Sequence, residues 1–347
     1  MKDKIKCLIE FTAFISIVIF LLFFISDLFT PKWTVKVGEG SIQAIKGFYN
    51  LEPNTIDVMF IGDSSIRKGI SPMQIYEDSG ITSYSYCNSS SRIYMFYYFL
   101  QDVLKTQKPK VVVSDPLTLF YMKKEIEPDK RKSFDYMPLS VNKINMINDD
   151  IFELDFFEKA SYVFPILRYH SRYNELHRKD FTMLDNNFHS VQKGFIMSKA
   201  VKPHKNGFDY MKPKHKDKKL KYKDYSEEYL EKYVKLCKEN NIELIILGIP
   251  DIRVWGYEQS EKMKEYASKY GFKYLDINNE STNINWLKDT EDAGGHFNIK
   301  GAQKITKYVT NYLKDNYDLP DHRNDPKYQS WNDDLVIYND TIKELIK

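Results

Sequence analysis

Two short segments carry side chains suited to nucleophilic and acid–base chemistry. The first reads Ile61-Gly62-Asp63-Ser64-Ser65. A glycine-containing turn directly after a buried strand holds a short hydroxyl side chain at the strand's carboxyl end. If a helix begins there, its first backbone N–H groups point at the same spot, so a nucleophile and its oxyanion donors fall together. The competing use of these residues is a helix cap supplied by Asp63, Ser64 or Ser65. The second segment runs from Asp289 through Asp292, Ala293, Gly294 and Gly295 to His296, and on to Asn298. A histidine in such a glycine-softened loop can reach the strand edge from the far end of the chain. A neighbouring carboxylate then sets its tautomer and stabilises the imidazolium. The competing reading is a surface histidine in an Asp/Gly turn, with Asn298 capping the next helix. A metal site of Asp289, Asp292 and His296 lacks an identifiable fourth ligand.

The elements that must position these groups alternate along the chain. Residues 56–61 (IDVMFI), 83–87, 110–114 (KVVVS), 242–247 (IELIIL) and 272–277 (FKYLDI) read as strands. Residues 93–105, 228–240 and 260–270 show helical spacing, and Ala302, Ile305, Val309 and Leu313 mark a final helix on one apolar face. Such alternation predicts a parallel sheet covered on both faces. Sites on these sheets lie at the carboxyl ends of strands, which places 62–65, 88–92 and 114–116 on one edge. Between about 120 and 225 the alternation stops. We read an insertion there, with helices near 140–147 and 151–162. Insertions of that length are commonly functional or mobile. The tail after Pro320 is polar and mixed, with Trp331 and Ile337 as possible docking points.

The chain has 347 residues, 42% of them hydrophobic and 29% charged, which describes a folded protein rather than a disordered one. The net charge of +3 gives no global nucleic-acid signature. Cys7, Cys87 and Cys237 form neither a disulfide framework nor a zinc spacing. At the N-terminus, Lys2, Lys4 and Lys6 precede a strongly apolar run at 11–25, inside a wider 7–29 segment. That segment is long enough for a helix to cross a hydrocarbon core of about 30 Å. The lysines predict a cytoplasmic N-terminus and an outward C-terminal domain. A cleaved signal peptide is the rival, but 27–32 (DLFTPK) offers no small-residue cleavage site. The organisation is therefore a cytoplasmic tail at 1–6, an anchor at 7–29, a stalk at 30–50 and an extracytoplasmic domain at 51–347.

Together, the Gly-Asp-Ser block and the Asp/His block resemble the SGNH (GDSL-type) hydrolase superfamily. There the first follows the first strand and the second precedes the last helix. The resemblance covers most of 51–316, leaving the insertion aside. The stretch HFNIKGAQKIT from His296, with Asn298 and Gly301-Ala302, is similar to the membrane-anchored branch. That branch includes D-alanyl-lipoteichoic acid transfer proteins and envelope polysaccharide O-acetylation proteins. The resemblance implies an α/β fold, a flavodoxin-like α/β/α sandwich on a parallel sheet of about five strands. It implies Ser64 as nucleophile, His296 as base, and backbone N–H groups at Ser64 and near Ser90 as oxyanion donors. The family aspartate stands three residues before the histidine, where this chain has Ala293. Asp292 is therefore the better candidate for the triad acid, and Asp289 the other. The family also places an oxyanion glycine after the second strand and an asparagine after the third. Here those stretches read Asn88-Ser89-Ser90-Ser91 and Ser114-Asp115-Pro116. Asp115 would repel an oxyanion unless protonated or turned away.

The resemblance further implies acyl transfer or ester hydrolysis on an envelope glycopolymer or acylated carbohydrate, carrying O-acetyl or D-alanyl esters. A multi-spanning membrane acyltransferase is a possible partner, and membrane lipid surrounds the N-terminal helix. No cofactor, metal or nucleic acid is implied. A plain carbohydrate esterase and a non-catalytic binding or scaffold protein are the rivals. The mismatches at 88–91 and Asp115 favour the second. Lys212, Lys214, Lys216, Lys218, Lys219, Lys221 and Lys223 form a basic run, either a solvated loop or a guide for an anionic polymer or anionic lipid headgroups. Tyr169-His170-Ser171-Arg172 is either helix surface or a substrate contact. Gly38-Glu39-Gly40 follows no strand and lacks a third glycine, so it is not a dinucleotide fingerprint.

Overall fold

The computed structural model describes residues 2–32, 40–121, 126–182, 188–205, 210–212, 224–280 and 282–346. In chain order the elements are α1 (Lys2–Phe29), α2 (Ser41–Tyr49), β1 (Val58–Ile61), α3 (Ser64–Gly69), α4 (Pro72–Ser79), β2 (Ser83–Ser85), α5 (Ile93–Val103) and β3 (Val111–Ser114). The intervening segment supplies α6 (Glu127–Phe134), α7 (Val141–Asn148), α8 (Phe156–Val163), α9 (Ile166–Tyr169) and α10 (Arg178–Thr182). Then come α11 (Asp224–Glu239), β4 (Glu243–Gly248), α12 (Tyr257–Tyr270), β5 (Lys273–Asp276), α13 (Ile299–Asn316) and α14 (Gln329–Ile346).

The short apolar runs become strands because they are buried on both faces. Every residue of β1 and β3 is buried, and so is all of β4 after Glu243. They pair in parallel as one five-stranded sheet in the order β2-β1-β3-β4-β5. Strand order reverses around β1, which makes its carboxyl end the switch point of the sheet. On one side α5 packs against α11, with α5 also on β1 and α11 on β4; α13 packs with α3 and α4 in the other helical layer. The result is the three-layer α/β/α sandwich that the alternation predicts.

The boundaries of α4 are written in its sequence. Ser71 caps the first turn by accepting the Gln74 N–H, Pro72 occupies the first helical position, and Gly80 ends the helix in the left-handed conformation (φ 76°). Strand ends move by one or two residues from their expected positions. The helix expected over 151–162 is a 3₁₀ turn at Asp150–Phe152 followed by α8, whose start is set by the Asp155/Glu158 capping box.

The tail departs most from the sequence reading. It forms an eighteen-residue helix, α14, so α13 is not the last helix. Trp331 docks as expected, 3% exposed, with its ring centroid 5.3 Å from that of Tyr76. Ile337 does not dock and is 52% exposed. Tyr338 takes the inward position instead, with its hydroxyl 2.7 Å from Ser71 Oγ. A stripe at helical spacing cannot include both Trp331 and Ile337 on one face, whereas 331, 334 and 338 fall together.

Helix α1 is the one described helix long and apolar enough to cross a membrane. Its twenty-eight residues extend about 42 Å. Its hydroxyls are satisfied within the helix, Thr12 donating to the Leu8 carbonyl (2.8 Å) and Ser16 to that of Thr12 (2.9 Å). Side chains as far as Phe24 are mostly exposed, while Ser26 and Thr30 are buried against the insertion. The Phe23 and Phe164 rings lie 5.0 Å apart, and Arg172 donates to the Phe29 carbonyl. Part of the expected stalk is thus ordered packing, ending in α2, with Ile42, Ile45 and Phe48 wholly buried.

Candidate active site

Ser64 is the first residue of α3, at the carboxyl end of β1. Asp63 is the helix cap, its Oδ1 accepting the Ser65 N–H at 2.7 Å. The capping and nucleophile readings of this motif are therefore compatible, since different residues serve them. First-turn helix amides have no intrahelical acceptor, so the Ser64 N–H stands beside its own hydroxyl as a donor. Gly62 is required by close approach. A Cβ there would lie 2.6 Å from Asp115 Oδ2 and 2.7 Å from Ile66 Cγ1.

His296 arrives from the loop between β5 and α13. Its Nε2 lies 2.8 Å from Ser64 Oγ, and its Nδ1 lies 2.5 Å from Asp292 Oδ2. A carboxylate only accepts, so Nδ1 carries the proton and Nε2 is left to accept from the serine hydroxyl. Asp292 Oδ1 accepts the Gly295 and His296 N–H groups (3.0 and 2.8 Å), and Arg253 Nη1 stands 3.1 Å from Oδ2. Burial alone would raise the Asp292 pKa. The hydrogen bonds from His296 and the charge of Arg253 outweigh it and hold the carboxyl below its ordinary range.

Asp289 is placed elsewhere. Its Oδ2 accepts from the Asn285 N–H and from Lys304 Nζ, each at 2.7 Å, so it pins the loop to α13. Asn298 caps α13 by accepting the Lys300 and Gly301 N–H groups. Its amide donates to the carbonyls of Ala200 (3.1 Å) and Lys288 (2.8 Å).

The loops after β2 and β3 close around the serine turn. The Asn88 N–H donates to the Gly62 carbonyl at 3.2 Å, which seats the start of the 88–92 loop against the serine turn. Ser90 has a left-handed backbone, φ 64°. Asp115 is turned inward: its Oδ2 accepts the Asp63 N–H at 2.8 Å, and the amides of Leu117 and Thr118 face it. Burial, together with the Asp63 charge, pushes the Asp115 pKa up, against the lowering effect of these backbone amides. Of the two conditions under which Asp115 would not repel an oxyanion, the structure meets that of a carboxyl turned away. Tyr121 donates to Asp63 Oδ2 (2.6 Å), and the Arg92 guanidinium lies 4.4 Å from the Tyr121 ring centroid.

Sequence reasoning missed the loop after β4. Asp251 is buried and accepts the Arg253 and Val254 N–H groups (2.9 and 3.2 Å), fixing the turn that presents Arg253 to Asp292. Burial raises the Asp251 pKa to about 6. The rule that sites gather at strand carboxyl ends could have found this loop as it found the other three.

The insertion is tied to the site by hydrogen bonds. Its 188–205 stretch runs as a strap past the site. The Lys193 carbonyl accepts the Ser85 N–H, and the Ile196 N–H donates to Arg67. Lys202 pairs with Thr290 and Ala293, and His204 Nδ1 meets the Ala293 carbonyl at 3.0 Å. These bonds hold the histidine loop in place. Tyr169 donates to Asp135 and Arg172 donates to the Phe29 carbonyl at the end of α1, so both serve structural contacts. His170 is exposed. Of the basic run, only Lys212 lies among the described residues.

No protein-family model and no curated protein matches the chain. Solved structures similar to it include a "putative acylhydrolase" from Bacteroides fragilis (13% identity, 78% of this chain and 94% of that one, TM-score 0.37). Another is a GDSL-like lipase from Bacteroides thetaiotaomicron (11% identity, 79% and 100%, TM-score 0.35). At such values the chemistry of this site rests on its own geometry.

Proposed function

We propose that this chain is an SGNH-type serine esterase or O-acyltransferase, anchored by α1 and acting on an ester of a cell-envelope glycopolymer. The observation that carries the catalytic part is the continuous relay from Ser64 Oγ through His296 to Asp292. In this reading His296 Nε2 takes the Ser64 proton as Oγ attacks the ester carbonyl. The backbone N–H groups of Ser64 and Ser90 receive the oxyanion. Collapse of the tetrahedral intermediate expels the alcohol, which takes the proton from His296. The acyl-serine then passes to water or to a polymer hydroxyl, which His296 deprotonates in turn. Asp292 stays ionised and steadies the imidazolium.

The glycopolymer, and a multi-spanning acyltransferase as partner, are supported by the HFNIKGAQKIT likeness and the apolar N-terminal helix. Lys2, Lys4 and Lys6 favour a cytoplasmic N-terminus with the catalytic domain outside.

Labelling of the full chain with a fluorophosphonate serine probe tests the chemistry. Wild type is expected to label, and Ser64→Ala and His296→Ala to lose labelling and at least ~10³-fold in ester hydrolysis while keeping their melting temperature. A wild type silent with its membrane partner present would replace this reading with a non-catalytic binding protein.

A further inference from the structure

Where α1 meets the domain, a cavity of about 480 Å³ opens between its last turns and the insertion. Phe23, Leu139 and Val163 contribute its apolar wall, and Asp27, Lys46 and Lys143 its charged one. Lys46 Nζ is committed to Asp27 Oδ1 at 3.1 Å, and Lys32 Nζ to the same oxygen at 2.9 Å. Asp135, also on the wall, is held by Arg131 (3.1 Å) and by Tyr169 (2.6 Å).

Lys143 is different. It is 4% exposed, and among the described residues its Nζ has one hydrogen-bond acceptor, the Met137 carbonyl at 3.0 Å, and no ion pair. An ammonium needs three acceptors; the charge of Asp135 acts on Lys143 from nearby without bonding it, so a buried ammonium facing a cavity leaves strong donors unused. Burial outweighs that charge and depresses its pKa to about 8. A phosphate oxygen in the cavity would supply the missing acceptors.

The surroundings say what carries that phosphate. Phe23 belongs to the apolar part of α1 and stays 37% exposed at the mouth. Leu139 (49%) and Val141 (78%) are exposed beside it, and Phe156 and Phe157 (78% and 79%) stand exposed at the start of α8, whose other end lines the cavity. Apolar side chains displayed in this way around the exit of an apolar helix match the headgroup-to-acyl boundary. The lysines then lie at headgroup depth.

We propose that this cavity is a seat for the phosphate headgroup of an anionic glycerophospholipid from the outer leaflet, held by Lys143 with its chains running along α1. The proposal rests on the membrane-anchored reading of α1 and is independent of the acyl-transfer reading.

The test is native mass spectrometry of the detergent-solubilised full chain with phosphatidylglycerol, phosphatidylcholine or inorganic phosphate. We expect phosphatidylglycerol to be retained in preference to phosphatidylcholine. Lys143→Gln should lower that retention about 10- to 100-fold. Lys143→Arg should keep it, and the melting temperature of Lys143→Gln should not fall. Equal retention of both lipids, or retention unaffected by Lys143→Gln, would overturn the seat. Inorganic phosphate binding in a Lys143-dependent way without lipid selectivity would overturn the lipid assignment in favour of a free phosphate site. Alkaline carbonate extraction of native membranes separates the premises. Release of the full chain would overturn anchor and seat together, whereas a retained chain without lipid preference would overturn the seat alone.

Discussion

Asp289 and Asp292 lie in one loop with identical side chains, and the backbone between them decides which one meets the histidine. Ala293 adopts a left-handed conformation (φ 65°) and Gly294 another (φ 101°). The chain therefore folds back so that Asp292 accepts from Gly295, His296 and the imidazole at once. Asp292→Asn should lower ester hydrolysis by as much as ~10⁴-fold, because an amide lets the imidazole settle in the wrong tautomer. Asp289→Asn should leave probe labelling intact and cost ~1–3 kcal/mol of stability through the weakened Lys304 contact, readable by denaturant unfolding. Asp115 makes a pH prediction. Its folded pKa is raised, so the native state binds more protons than the unfolded chain above the ordinary carboxyl range, and stability falls as pH rises there. Asp115→Asn removes that slope while its carbonyl can still accept the Asp63 N–H. The melting-temperature difference, variant minus wild type, should grow from pH 4 to pH 8; a constant difference would show that Asp115 is ionised in the native protein.

At the scale of elements, the site is a meeting of strand ends, a helix start and a strap. Strand β1 delivers Ser64, and α13 fixes the loop that delivers His296. Lys68 of α3 pairs with Glu291 of that loop, tying the two together. Asn298 is the joint, since it caps α13 and grips the strap through Ala200. Asn298→Ala should cost about 1–2 kcal/mol for the cap alone. It should also slow fluorophosphonate labelling without abolishing it, because the loop loses a tether while Ser64, His296 and Asp292 remain. Labelling at the wild-type rate would mean that the Lys202 and His204 contacts hold the loop unaided.

For the whole molecule, the sandwich is closed by the C-terminal helix and joined to α1 by the insertion. Trp331 packs on Tyr76 of α4, and Asp334 of the same helix pairs with Lys193 of the strap. The last residues of the chain thus brace the segment that braces the histidine. Trp331→Ala should cost ~3–5 kcal/mol in denaturant unfolding of the full chain, the range for emptying a large buried ring site. A loss below about 1 kcal/mol would show α14 to be a loosely attached tail.

The layer order, the parallel sheet and the apolar N-terminal helix were legible in the sequence because they depend on local periodicity. Buried strands read as short apolar runs, and turns and caps declare themselves through Gly62 and Asn298. The Gly-Asp-Ser and Asp/His blocks were legible as candidates for the same reason. Other features were decided only in three dimensions. The choice of Asp292 over Asp289 depends on backbone turns at Ala293 and Gly294 that composition does not specify. The inward turn of Asp115 depends on the Asp63 N–H that it accepts, and Arg253 reaches the site only because β4 ends next to β3. The strap at 188–205 has no periodic signature, since its hydrogen bonds run to residues distant in sequence. The cavity at the end of α1 exists only once the insertion has packed against the helix.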